Sequence, residues 1–103
     1  MNQLVSALKS AMQNFLRIAF RYDGQDTFRV FEPYVIYKYN GNILVSGTQS
    51  KDYKELDKAE MPHKFNLEKI SSLRILSTKF KYDDRFNPDR EEYKDSIYVV
   101  KNT

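Results

Sequence analysis

Asn40-Gly41 stands between two runs rich in β-branched, aromatic and aliphatic residues, Tyr34 to Tyr39 and Ile43 to about Gln49. Both turn positions tolerate the positive φ that a type I′ turn demands, so this stretch is committed to a β-hairpin. A chain built around such a hairpin must bury one face of the resulting sheet. At 103 residues it has room for one core, so residues 1–103 are read as a single domain.

The flanking segments extend the hairpin into a mainly β fold. Leu4, Leu8, Ala11 or Met12, and Phe15 recur at helical spacing, with Asn2 as the cap. The period then changes to two: Leu16, Ile18, Phe20 and Tyr22 alternate with Arg17, Ala19 and Arg21, and Asp23-Gly24 marks a turn. Thr27 to Phe31 reads as a second strand, ended by Pro33, ahead of the hairpin strands. Ser50 to Pro62 is polar and mixed in charge, which reads as a solvated loop. Lys64 to Leu67 and Ser72 to Ser77 are further short strands on either side of a turn at Leu67 to Ile70. Asn87-Pro88, followed by Asp89, Glu91 and Glu92, has the chemistry of a helix start. Ile97 to Val100 is expected to dock on an edge of the sheet.

The fold class expected from this order is mainly β with flanking helices: an N-terminal helix followed by a small five-stranded SH3-like or Sm-like barrel. An OB-fold would require a helix between its later strands. Aromatics make up 15% of the chain, eight Tyr and seven Phe, which suits a small β core.

Several function classes are disfavoured by what the chain lacks. It has no cysteine for a disulfide, a thiol nucleophile or a thiolate metal site. His63 is the only histidine, no nucleophile elbow accompanies it, and Gly24, Gly41 and Gly47 are too scattered for a phosphate-cradling loop. Asp83-Asp84 and Glu91-Glu92 are expected to face water rather than converge. The expectation is therefore no catalytic residue, no metal and no cofactor. The longest aliphatic run is Ile43-Leu44-Val45, far short of a membrane span, and the default expectation is a cytoplasmic address.

What remains is binding. Seventeen basic residues against fourteen acidic give a formal +3 and a pI near 9.1, too mild alone to demonstrate a nucleic-acid partner. Arg17, Arg21, Arg29, Lys38, Lys64, Lys69 and Arg74 are nevertheless interleaved with Tyr22, Phe28, Phe31, Tyr37, Tyr39 and Phe65. Cations for phosphates and flat rings for bases are what such ligands need. For most of these positions the plainer reading is a core ring backed by a solvated charge. Arg29 is different. It lies between Phe28 and Val30 on an apolar strand, so its charge requires water, an acid or an anionic ligand.

Taken in order, these segments resemble a WYL domain. Ala7 to Tyr22 matches the opening helix and strand ending in Tyr, and Arg29 with Pro33 matches an arginine four residues before a proline. Asn42-Ile43-Leu44 stands where the Trp-Tyr-Leu triplet would be, with only Leu44 retained. His63 to Ile70 aligns with the family's R-x-F-R-L-D-R-I, its three arginines replaced by His63, Asn66 and Lys69. Phe80 and Phe86-Asn87-Pro88 match the end of the pattern.

The resemblance implies a ligand-sensing barrel of the kind found in bacterial transcription regulators and around phage defence. It implies binding of single-stranded nucleic acid or a nucleotide-like anion at Arg29, His63, Asn66 and Lys69. Arg29 and Lys69 would contact phosphates, and His63 and Asn66 would hydrogen-bond phosphates or base edges, a lone strand histidine being otherwise a partly buried hydrogen-bonder. Lys64, one residue along, should point to the other face. The chain is too short to carry a helix-turn-helix ahead of the barrel, and Met1 favours a free-standing domain over a piece of a longer regulator. The alternative is an assembly or dimerisation module that uses exposed hairpin aromatics and the Ile97–Val100 tail.

Overall fold

The computed structural model describes residues 2–50 and 63–101. One α-helix, α1 (Asn2–Gln13), precedes six strands: β1 (Leu16–Tyr22), β2 (Arg29–Tyr39), β3 (Asn42–Ser50), β4 (His63–Asn66), β5 (Ile70–Lys79) and β6 (Ser96–Val99). All the ladders are antiparallel, in the order β4-β3-β2-β1-β5, with β6 added on β2. Among the described residues the sheet is open, because no ladder joins β4 to β5. A 3-10 turn at Leu67–Lys69 carries the chain from one to the other.

The hairpin forms as its turn residues require: Asn40 and Gly41 have φ of 50° and 80°. Asp23 and Gly24 also adopt positive φ, and Gln25 N–H closes the turn on the Tyr22 carbonyl at 3.1 Å. The helix ends earlier than its spacing suggests. Phe15 lies beyond it at φ 54°, and this left-handed residue turns the chain from helix into strand. The cap expected of the Asn2 side chain lies outside the described part of the chain.

Three expectations need correction. Pro33 does not end a strand; Arg29–Tyr39 is one continuous β2. Along one edge β2 pairs with β3 from Val30–Ser50 to Tyr39–Asn42. Along the other it pairs first with β1, up to Phe31–Ile18, and then with β6, from Val35–Val99. Pro33 falls in the gap between those two partners, beside a register shift at Pro33/Val35, where a missing N–H costs no ladder bond. The Asn87-Pro88 segment does not start an α-helix either. Its Asn87 side chain accepts from Asp89 N–H at 3.0 Å, and only a 3-10 turn follows at Glu91–Tyr93. Third, the strands number six, because the Ile97 segment docks as expected and extends the sheet as β6. Apart from Ser50, which closes β3, the loop expected over Ser50 to Pro62 lies outside the described residues.

Two apolar clusters lie on opposite sides of β2. On one, Leu8, Ala11 and Met12 of α1 pack with Ile18, Phe20, Phe31, Ile36, Val45, Phe65 and Leu67. On the other, Tyr34, Val35 and Tyr37 meet Phe80, Phe86 and Tyr93 from the segment after β5. Each such fully buried ring contributes roughly 1.5–3 kcal/mol of transfer free energy. No helix among the described residues is long and apolar enough to cross a membrane.

Gly47 is fixed by the approach of β3 to β2. It faces Pro33, and a Cβ built there would collide with the Glu32 carbonyl oxygen and sit 3.1 Å from Phe31 Cζ. Relief requires movement of the β2 backbone itself, so Gly47→Ala should destabilise the protein by about 2–3 kcal/mol. The urea unfolding midpoint checks this; a midpoint equal to wild type would contradict the close approach.

Candidate functional site

The side-chain alternation of β1 sends Phe20 and Tyr22 to the face that packs against β4, with Arg29 and Phe31 of β2 and His63 and Phe65 of β4 on the same side. Phe65 is the centre of this group. Its ring meets Phe20, Tyr22 and Phe31 edge-to-face at centroid distances of 5.1, 4.8 and 5.1 Å. His63 stacks on it at 4.8 Å with 16° between the planes.

The Arg29 guanidinium sits at the edge of these rings, 5.4 Å from the Phe65 centroid and 5.8 Å from that of Tyr22. It is half-buried and donates to two neutral side chains, Gln49 Oε1 at 3.3 Å and Gln25 Oε1 at 3.0 Å. Its Nε is buried without a hydrogen-bond partner, and no carboxylate pairs with it among the described residues. Amides and rings orient a guanidinium but leave its full charge uncompensated. That charge is the principal chemical capacity of the site.

Asn66 joins the same group through its backbone: its N–H donates to the Tyr22 hydroxyl at 3.0 Å. Its side-chain oxygen accepts from Glu68 N–H at 3.0 Å and caps the 3-10 turn, which leaves the amide nitrogen as the donor. A donor is what an anion requires. Lys69 is brought to this end of the molecule by its carbonyl, which accepts from Asp23 N–H at 2.8 Å. Its side chain is exposed, and no hydrogen bond, ion pair or ring contact joins it to the other three. Arg29, His63 and Asn66 therefore gather on Tyr22 and Phe65, whereas Lys69 stands at the perimeter.

Gln25 and Gln49, which hold Arg29, carried no signal in the sequence. Gln25 lies four residues before Arg29 in an irregular stretch, and Gln49 reaches it only through the β2–β3 register, in which it faces Phe31.

Two other expected cations, Arg17 and Lys64, are already neutralised. Arg17 Nε donates to Glu32 at 2.9 Å and its Nη1 to the Lys79 carbonyl at 2.9 Å. Lys64 points to the opposite face from Phe65, as alternation requires, and pairs with Glu92 at 2.7 Å. The expectation that both carboxylate pairs face water holds for Asp84 and Glu91 and fails for their neighbours. Asp83 is held by Arg85 at 2.6 Å. Glu92, only 11% exposed, accepts from Lys64, from Arg90 at 2.9 Å and from the Tyr37 hydroxyl at 3.4 Å. With Tyr37 donating to Glu92, Ser46 donates in turn to the Tyr37 oxygen at 3.0 Å, and burial pushes the Tyr37 hydroxyl up to about 12. Lys64, Arg90 and Glu92 line a cleft of about 630 Å³ that also includes Lys38, Lys94 and Asp95. Its charges of both signs largely satisfy one another.

Compared with known proteins, the chain matches no family model, no curated protein and no solved structure.

Burial of Glu92 raises its carboxyl, but the hydrogen bonds from Lys64 and Arg90 outweigh burial and hold it below the usual range. A lowered folded-state value means that the ionised form stabilises the fold above the free carboxyl's range and that this contribution is lost as pH falls through the folded value. Glu92→Gln should therefore cost about 1–2 kcal/mol at pH 7, its cationic partners being partly solvated. The gap to wild type should narrow as pH falls below about 4.5, the free value for this group. Thermal melts at pH 7 and pH 3 measure both numbers, and a gap independent of pH would contradict the ionic account.

Proposed function

We propose that this chain is a non-enzymatic, WYL-like ligand-sensing domain that binds single-stranded nucleic acid or a nucleotide-like anion at Arg29, His63, Asn66 and Lys69. Its setting would be bacterial transcription regulation or phage defence. The finer fold reading belongs with it: a sheet curled toward an Sm-like barrel, supported by the Asn66–Tyr22 bond across the gap that the ladders leave open.

One observation carries the proposal. A half-buried guanidinium is held in place by two glutamines and two rings, with no carboxylate beside it among the described residues. A phosphate oxygen supplies the missing charge, and the geometry is set before the ligand arrives. Asn66 adds a neutral donor through its amide nitrogen, and Lys69 adds a solvated cation whose attraction is longer in range and more sensitive to salt. His63, lying on Phe65, extends the flat surface on which a base can stack.

The test is fluorescence anisotropy with a labelled 12-nucleotide oligothymidylate and a labelled adenine nucleotide, at about 50 and 200 mM salt. Each phosphate neutralised on a single strand adds about −0.7 to the slope of log affinity against log salt. Arg29→Gln should weaken binding about tenfold at low salt and flatten the slope by roughly that increment. Lys69→Gln should have the smaller effect on affinity and a similar effect on slope. Absence of binding to both probes at the lower salt rejects the proposal.

A second reading, an assembly module, draws on Tyr39 and Ile97, which are 44% and 37% exposed. Ile97 also lines a groove of about 750 Å³ with Val5, Lys9 and Ile43. Val100, by contrast, is buried and cannot contribute from the tail. Sedimentation across a hundredfold concentration range separates the readings, since a strict monomer disposes of the second.

A further inference from the structure

We infer that the outer face of β1 and β5 carries a second oxyanion site, formed by Arg21, Phe28 and Arg74, that takes a phosphate group. It is separate from the Arg29 cluster, because Arg21 alternates with Phe20 and Tyr22 and so projects from the opposite face of β1. Arg74 lies across the ladder from Ala19, on the side that Arg21 shares. Phe28, immediately before β2, is half-buried and receives both guanidinium groups. Arg21 Cζ is 5.0 Å and Arg74 Cζ 4.5 Å from its ring centroid.

Two like charges within reach of one ring repel each other, and the ring quadrupole offsets only part of that repulsion. Natural ion pairs normally remove the remainder, as Glu32 does for Arg17. Here neither arginine has a carboxylate partner among the described residues, and the Arg21 Nε is buried with no acceptor. Arg74 is exposed, so the pair is open to solvent on at least one side.

The ligand class follows from the number of donors. One guanidinium fork saturates a carboxylate, whereas a phosphate has enough oxygens and charge to be shared by two forks. A phosphate oxyanion is therefore the fitting occupant, whether from a polynucleotide backbone or from a small phosphate compound.

The experiment follows the side-chain Nε–H resonances of Arg21 and Arg74 by NMR in the full chain. It is titrated with inorganic phosphate, with the 12-nucleotide oligothymidylate and with polyglutamate, against sodium chloride at matched ionic strength. Saturable shifts of both resonances with phosphate and with the oligonucleotide are expected, and none with chloride. Arg74→Gln, a change at an exposed position, should weaken phosphate binding about fivefold, and Arg29→Gln should leave the Arg21 and Arg74 shifts in place. That last arm separates this site from the inner one, since either can fail alone. Oligonucleotide affinity at least tenfold above that of phosphate identifies the polymer as the source; equal affinities identify a small phosphate compound. Shifts no larger than those with chloride, equal response to polyglutamate, or unchanged affinity in Arg74→Gln each overturn the inference.

Discussion

The packing of Phe65 against Phe20, Tyr22 and Phe31 is the contact on which the rest of the structure depends. β4 is only four residues long and holds to β3 by four ladder positions, from Leu44–Asn66 to Gly47–His63. A strand so short at the end of a sheet has little stability from its backbone bonds alone. Three edge-to-face ring contacts, each worth about 0.5–1.5 kcal/mol beyond burial, bring it across to β1. Once there, Asn66 N–H reaches the Tyr22 hydroxyl, and His63 and Arg29 are placed against the same rings. The candidate site is thus the rim of the core. Its geometry comes from apolar packing, and only its charge comes from the residues that would meet a ligand.

This division explains what could be read in the sequence. Asn40-Gly41 and Asp23-Gly24 form their turns because positive φ is a local property of those residues. Arg29 stood out because a cation on an apolar strand is a local contradiction. Pro33 misleads because its effect depends on which edge of β2 it faces, and β2 changes partner at that point. Asn87-Pro88 misleads because an Asx turn and a helix N-terminus use the same side-chain chemistry, and no apolar helical stripe follows to decide between them. Glu92 gives no sign of burial in the sequence because Lys64, twenty-eight residues earlier, reaches it only through the sheet. Gln25 and Gln49 were silent for the same reason. Long-range register, rather than residue type, made the difference in each case.

The formal +3 conceals an uneven distribution of charge. Arg17, Lys64, Arg85, Arg90 and Lys94 are each matched by a carboxylate. Three of these five, Lys64, Arg90 and Lys94, cluster around the cleft beside Glu92 and the segment that follows. Arg21, Arg29 and Arg74 are matched instead by aromatic rings. A ring positions a guanidinium without cancelling its charge, whereas a carboxylate does both. Among the described residues, the arginines that keep their charge uncancelled are therefore those that rest on Phe28, Tyr22 and Phe65.

That substitution of rings for carboxylates bears on how a ligand would be held. A free arginine loses about 2 kcal/mol of rotamer entropy when it is fixed, and a ligand must normally supply that loss. At Arg29 the loss has already been met on folding, by two ring faces and two amide oxygens. Lys69, exposed and without a side-chain partner among the described residues, still carries it. Short-range recognition should therefore concentrate at Arg29, while Lys69 contributes attraction at a distance that salt readily screens. A site with one guanidinium fixed in advance beside a histidine, an asparagine and a solvated ammonium has its directionality at that one cation alone. Its grip on an anion would be narrow in contact and dependent on the rings beneath.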